Sequence, residues 1–404
     1  MINLVFDSPE DKLNVWDFKG HCNFYDKFSR NISWIYQYFT DQINVITPEQ
    51  IDTVDDFIYP VSMNDPYILC RQLIHNRQQD YGFWSRVDNR VIKSLRQGKG
   101  RIIIEANNEP LLSCDLADLK QSLKDTTTFP NDKIHLIIDD LDQIDNINFH
   151  DFPKMWEAIY ANEAYWQNIS TSINKPNWRI FDLVDGTQPD LVTKQRNFCC
   201  FNRRSVKHSA AYYLPLVLDK LALLQQGWIS LDDYGKDYLH RKDRVEDVSR
   251  KFDVLNFKTL HTEDIKNALD IKKTYELVNF EVVVEAYFSL DFINYPFLSE
   301  KIFRPLGIGL PFILVGQAYS LKNLHKRGYR TFHPLIDESY DLESDDLKRF
   351  FMAVREIKKL CNTDPDKLKS LINYTNSTVY PHNVSVAQER MKRFGEFLGV
   401  NNTF

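Results

Sequence analysis

Four short runs narrow what this chain can fold into: "RIIIE" at 101–105, "IHLII" at 134–138, "VNFEVVVEAYF" at 278–288 and "PFILVG" at 311–316. A strand with one wet face alternates apolar and polar residues. A strand covered on both faces is apolar almost throughout, as in parallel sheets sandwiched by helices. Between the runs lie segments with helical spacing. In "WSRVDNRVIKSLRQGKG" the residues Val87, Val91 and Leu95 recur every four positions, and a glycine-containing basic turn stops the helix. "LADLKQSLKD" separates the first two runs as another helix. Strand, helix, strand with short connections means a parallel α/β sheet.

The pattern occurs twice. The first half opens with the strand "INLVF" and takes in "DDFIYPVSM" as a strand or loop edge. Residues 166–195 are polar and irregular, with a strand expected in "WRIFDLV". The pattern resumes at 196 with "RNFCCFN" as a strand, then a long helix from about Ser205 bent at Pro215, then "WISL". After "PFILVG" come the helix "SLKNLHKRG" with a glycine stop and the short strand "YRTF". From about 343 the chain reads as helical. The expected organisation is an N-terminal Rossmann-like domain at 1–165, a connection at 166–195, a second Rossmann-like domain at 196–345 and C-terminal helices at 346–404.

The chain's 404 residues suit two domains. Its composition, 43% hydrophobic and 26% charged, is that of a globular protein. The net charge of −6 gives no broad basic face for duplex nucleic acid. The six cysteines include no CxxC and no zinc spacing with histidine, so they read as reduced thiols of a cytoplasmic protein. "MINLVFDSPEDKLNVW" reads as a strand followed by polar residues rather than a signal peptide, and no apolar run reaches the ~20 residues of a membrane span.

In open parallel sheets, ligands bind beyond the carboxyl ends of the strands. Three such loops stand out in the second half. Asn202, Arg203 and Arg204 follow "RNFCCFN", with Lys207 and His208 expected in the first turn of the next helix. Arginines facing a helix start can clamp a phosphate, or form an ordinary solvated basic turn. Glu285 ends the "VVVE" run, where a carboxylate needs donors; these are sugar or ribose hydroxyls, or a neighbouring arginine. Third, in "FLSEKIFRPLGIGLPFILVG" at 297–316, Ser299 is a natural N-cap, so a helix begins at Glu300 and Lys301. A cation there is unfavourable without an anion nearby. Lys301 and Arg304 share a face, Pro305 should kink the helix, and Gly307 and Gly309 permit close packing or its end. A nucleoside diphosphate would fit, with Lys301 and Arg304 toward phosphates and Glu300 toward ribose; a surface helix with ordinary charges is the alternative.

Taken in order, "FNRRSVKH", "VVVEAYF", "FLSEKIFRPLGIGLPFILVG" and "LHKRGYRTFHPLIDESYD" resemble the donor-site pattern of GT-B glycosyltransferases. The resemblance is to those with a [ST]-E-K motif, as in the α1,3-fucosyltransferase family, and to putative glycosyltransferases of tailed phages and some bacteria. It covers about 196–345 and departs at Ser299, where threonine is common, and at Arg304, where lysine is common. It implies two facing Rossmann-like domains and a nucleotide-sugar co-substrate held by Asn202, Arg203, Arg204, His208, Glu285, Ser299, Glu300, Lys301 and Arg304. The acceptor would be held by the first domain, and the last helices would pack back on it. No DxD stands alone after a strand in the second half, so a metal-independent reaction without cofactor is expected. Strand-end acids of the first half, Glu109, Asp139 and Asp140, are the candidates for a catalytic base, although such acids are commonly structural.

Phage-like resemblance brings in one specific acceptor, a hydroxymethylated base in DNA, with the basic turn Arg96 to Arg101 lining a groove. A surface polysaccharide or protein acceptor stands beside it. From another class, a non-catalytic nucleotide-sugar-binding shell would keep the same fold. A dehydrogenase is disfavoured, because no GxGxxG follows any strand.

Overall fold

The computed structural model describes residues 1–5, 42–62, 87–105, 130, 132–137, 148–150, 194–202, 209–231, 271–291, 293 and 295–400. The chain is α/β, with two all-parallel sheets in two compact units. One unit takes in Met1–Ala158 and Ala387–Phe404; the other is Ile159–Val386.

The first unit holds β1 (Ile2–Val5), β2 (Ile43–Ile46), β3 (Ile58–Ser62), β4 (Arg101–Glu105), β5 (Ile134–Ile137) and β6 (Asn148–His150), in the order β2-β1-β3-β4-β5-β6. Leu4, Val5, Tyr59, Ile102, Ile103, Ile104 and Leu136 are buried, as runs covered on both faces require. "IYPVS" is an interior strand even though Pro60 has no N–H to give. Its ladder to β1 is limited to Leu4 opposite Ile58, while residues 58–62 run the full length of β4. Strand β2 was not foreseen. Helix α1 (Asn89–Arg96) begins two residues later than Val87 suggested, because the Asp88 carboxylate accepts the Arg90 amide at 2.8 Å and caps it. The turn ends at Gly100, whose φ of +74° and contact with the Phe57 ring leave no room for a Cβ.

The second unit holds β7 (Arg196–Asn202), β8 (Gly227–Leu231), β9 (Val278–Val284) and β10 (Phe312–Val315), in the order β10-β9-β7-β8. Its helices are α2 (Ala210–Lys220), α3 (Ile271–Glu276), α4 (Glu300–Ile308), α5 (Ser320–Lys326), α6 (Asp346–Cys361) and α7 (Pro365–Tyr374). One turn of π-helix (Thr375–Val379) leads into α8 (Tyr380–Leu398), which runs past the division between the units. Within the first unit, Arg101 donates to the Leu398 carbonyl at 3.2 Å and lies over the Phe397 ring.

Two expectations are corrected here. The helix after β7 starts at Ala210, not near Ser205, because the Ser209 hydroxyl accepts the Tyr212 amide and caps it. "YRTF" is not a strand. Both backbone groups of Arg330 are taken by one side chain, Asn383, whose Oδ1 accepts the amide at 2.8 Å and whose Nδ2 donates to the carbonyl at 3.0 Å. The backbone is satisfied without a strand partner. Pro305 is accommodated within α4, which runs through to a left-handed Gly309 cap.

Candidate functional site

Strand β7 continues to β8 on one side, and β9 lies on its other side. The topological switch point of this sheet, the place where α/β folds bind ligands, therefore lies at the carboxyl ends of β7 and β9. The register pairs Cys199 with Glu281, which carries the end of β7 at Asn202 alongside the end of β9 at Val284. Glu285 follows at once, and the β9–β10 ladder places Val284 opposite Val315, just before Gly316.

Helix α4 starts against this edge. Ser299 is extended (φ −94°, ψ −179°), and its Oγ accepts the Lys301 amide at 3.2 Å. The same Oγ donates to Glu285 Oε2 at 2.5 Å and accepts Lys301 Nζ at 3.2 Å. One hydroxyl thus uses its donor and both acceptor directions. Glu285 Oε1 accepts the Ser299 amide at 3.2 Å, and Oε2 lies 3.9 Å from Lys301 Nζ. The Glu285 side chain is 2% exposed and that of Lys301 26%. An anion beside the cation at this helix start is therefore built in: it is Glu285. The arginine expected as a protein partner for Glu285 is not the one seen here: Ser299 and Lys301 take that place.

The loop between β9 and α4 is held by groups not singled out in the sequence. Buried Gln317 accepts the Phe297 amide at 2.9 Å and donates to the carbonyls of Ser289 and Ile293. Buried Arg349 of α6 donates to Gly316 O at 3.0 Å, Phe288 O at 2.5 Å and Asp346 Oδ1 at 2.5 Å, with its guanidinium over the Phe288 ring. It ties the chain after β9 to the chain after β10. Asp341, in the "DESYD" run, caps α5 from a distance, accepting the Leu321 and Lys322 amides at 2.8 and 2.9 Å.

Arg304 does not point where the phosphate reading put it. Its Nη2 donates to Glu281 Oε1 at 2.7 Å, with the two side chains 8% and 0% exposed. Tyr275 donates its hydroxyl to Glu281 Oε2 at 2.6 Å, and the guanidinium lies over Phe201. Burial pushes the Glu281 carboxyl up, opposed by Arg304 and then Tyr275. Facing inward from β9, Glu281 takes the charge of a residue one turn beyond Lys301. A glutamate inside a run apolar on both faces was the available signal, since such a charge needs a partner.

The structure brings together Glu285, Ser299 and Lys301. Asn202 and Glu300 have placed backbones at the ends of β7 and the start of α4. Arg203, Arg204, His208, Glu109, Asp139 and Asp140 lie outside the described residues, as does "WRIFDLV". Among the described residues, no group of three or more His, Cys, Asp or Glu is placed to hold a metal, and no helix is long and apolar enough to cross a membrane.

No family model matches the chain, and neither does any curated protein. Among solved structures, an α1,3-fucosyltransferase with GDP-fucose aligns over 100% of this chain and 91% of its own, at 13% identity and a TM-score of 0.39. The same kind of enzyme with GDP aligns over 99% and 91%, at 10% and 0.39. A GtfA/B complex aligns over 87% of this chain and 59% of its own, at 9% and 0.41. Likeness at this level assigns no family.

Proposed function

We propose that the protein is a GT-B glycosyltransferase that binds a nucleotide-sugar donor at the start of α4 and transfers the sugar to an acceptor hydroxyl. The observation that carries the reading is Lys301: a partly exposed ammonium at a helix N-terminus, set at the switch-point edge of a parallel sheet. The ordered resemblance of residues 196–345 to the donor-site pattern supports it. On this reading the helix amides and Lys301 face the diphosphate and stabilise the charge that grows as it leaves, without a metal ion. Asn202, Arg203, Arg204, His208 and Glu300 are proposed as further donor contacts. Glu109, Asp139 and Asp140 are proposed for the acceptor side. They follow β4 and β5, whose ends stand side by side, Glu105 opposite Ile137.

The acceptor is proposed only as a hydroxyl compound. The basic turn expected to line a DNA groove is engaged within its own unit: Lys99 Nζ donates to Ile51 O at 2.8 Å, and Arg101 to Leu398 O. It lends a nucleic-acid acceptor no support.

Melting the protein with UDP, GDP, CDP, ADP, TDP, CMP and their sugars tests the reading. Ligand at 100 times its dissociation constant adds about 2.7 kcal/mol, a readable shift. Hydrolysis of the stabilising donor without acceptor would separate an enzyme from a binding shell. No shift with any member of the panel would reject the donor site.

A further inference from the structure

Resting on that donor reading, we infer that Glu285 and Ser299 are positioning residues: they set the Lys301 ammonium for a diphosphate and do not themselves touch the donor. The inference departs from the expectation that Glu285 meets ribose or sugar hydroxyls.

The geometry runs in one direction. Both Glu285 oxygens face Ser299, one accepting its amide and the other its hydroxyl. That bond orients the hydroxyl proton toward the carboxylate. The lone pairs of Oγ are thereby turned to the Lys301 amide and the Lys301 ammonium. Glu285 and Ser299 are buried, at 5% and 4%, and only Lys301 reaches solvent. A lysine head on a four-carbon stem otherwise samples many rotamers, and that freedom must be lost when it meets a phosphate. Holding Nζ against the helix start removes much of that loss beforehand. Through its Oγ bond to Nζ, Ser299 acts on a ligand by way of the Lys301 ammonium.

A double-mutant cycle tests this, with UDP, GDP, CDP, ADP and TDP titrated calorimetrically into the full chain. Lys301→Ala should weaken the diphosphate that binds by about tenfold, the effect of losing one charge-assisted contact. Ser299→Ala should lose a similar factor, and the double variant should lose no more than Lys301→Ala alone. Ser299→Thr, which keeps the hydroxyl, should bind within about twofold of the native protein. Glu285→Gln should lose affinity only while Lys301 is present. Melting of each variant separates loss of the cap from loss of the site, and the threonine variant carries the test if alanine does not fold. Losses that multiply in the double variant would overturn the positioning role while leaving the donor site standing. Absence of binding by the native protein would overturn the donor reading, and this inference with it.

Discussion

Arg304 Nη2 lies 2.7 Å from Glu281 Oε1, and neither side chain is more than 8% exposed. The pair pins α4 to β9 from beneath, while Ser299 and Glu285 pin its start at the strand end. Breaking such a pair strands a buried charge, which costs about 3–5 kcal/mol, whereas replacing both partners with apolar residues is often neutral. Arg304→Met should therefore destabilise by about that amount in urea denaturation, and adding Glu281→Leu together with Tyr275→Phe should recover most of it, since the leucine alone would strand the buried Tyr275 hydroxyl. Losses from Arg304→Met and Glu281→Leu that simply add in the double variant would show that the pair does not act as a unit.

Arg349 has a different task, holding carbonyls rather than a carboxylate alone. Arg349→Lys keeps the charge but cannot reach Gly316 O, Phe288 O and Asp346 at once. A loss of at least about 2 kcal/mol is expected from the orphaned groups. Amide exchange should quicken first around 285–291 and 316–318; uniform exchange would argue that these loops are held by other means.

Thiol chemistry should follow burial. Cys199 and Cys200 are fully buried, and burial pushes both thiols up; Cys361 is pushed up to about 12. All three should resist alkylation at pH 8 in the native protein and label only on unfolding, as mass spectrometry can map. Labelling of Cys361 in the folded state would place the end of α6 among locally opening regions.

Acid should act on Glu49. Its carboxyl is held down to about 2 by hydrogen bonds from the Thr47 side chain, its own backbone and Arg90. A carboxyl lowered in the folded state adds stability that is present above its ordinary value near 4.5 and is lost as pH falls through about 2. Glu49→Gln should flatten that part of the stability profile. A Glu49 carbonyl carbon resonance that titrates near 4.5 would contradict the arrangement.

Periodicity and strand-end chemistry made much of this chain legible from its residues. β4, β5, β7, β9 and β10 are visible as runs that are apolar almost throughout, because burial on both faces leaves no regular polar alternation. The Ser299 cap is visible because capping is local, a matter of one hydroxyl and an amide two residues on. Which partner a charge takes is not local. Arg304 was read toward a phosphate from its spacing with Lys301, yet its partner is on a strand 23 residues earlier. Glu285 was read toward ribose or sugar hydroxyls or a neighbouring arginine, yet the fold brings Ser299 back to it across 14 residues. "YRTF" has strand propensity, but a side chain 53 residues away takes both backbone groups of Arg330. Sequence alone therefore determined the two parallel α/β halves and the site of the α4 start, since both depend on spacing along the chain. Only the tertiary structure decided that Lys301 stays at that start while Arg304 is drawn into the core, because a buried carboxylate at Glu281 needs a cation more than a partly exposed edge does.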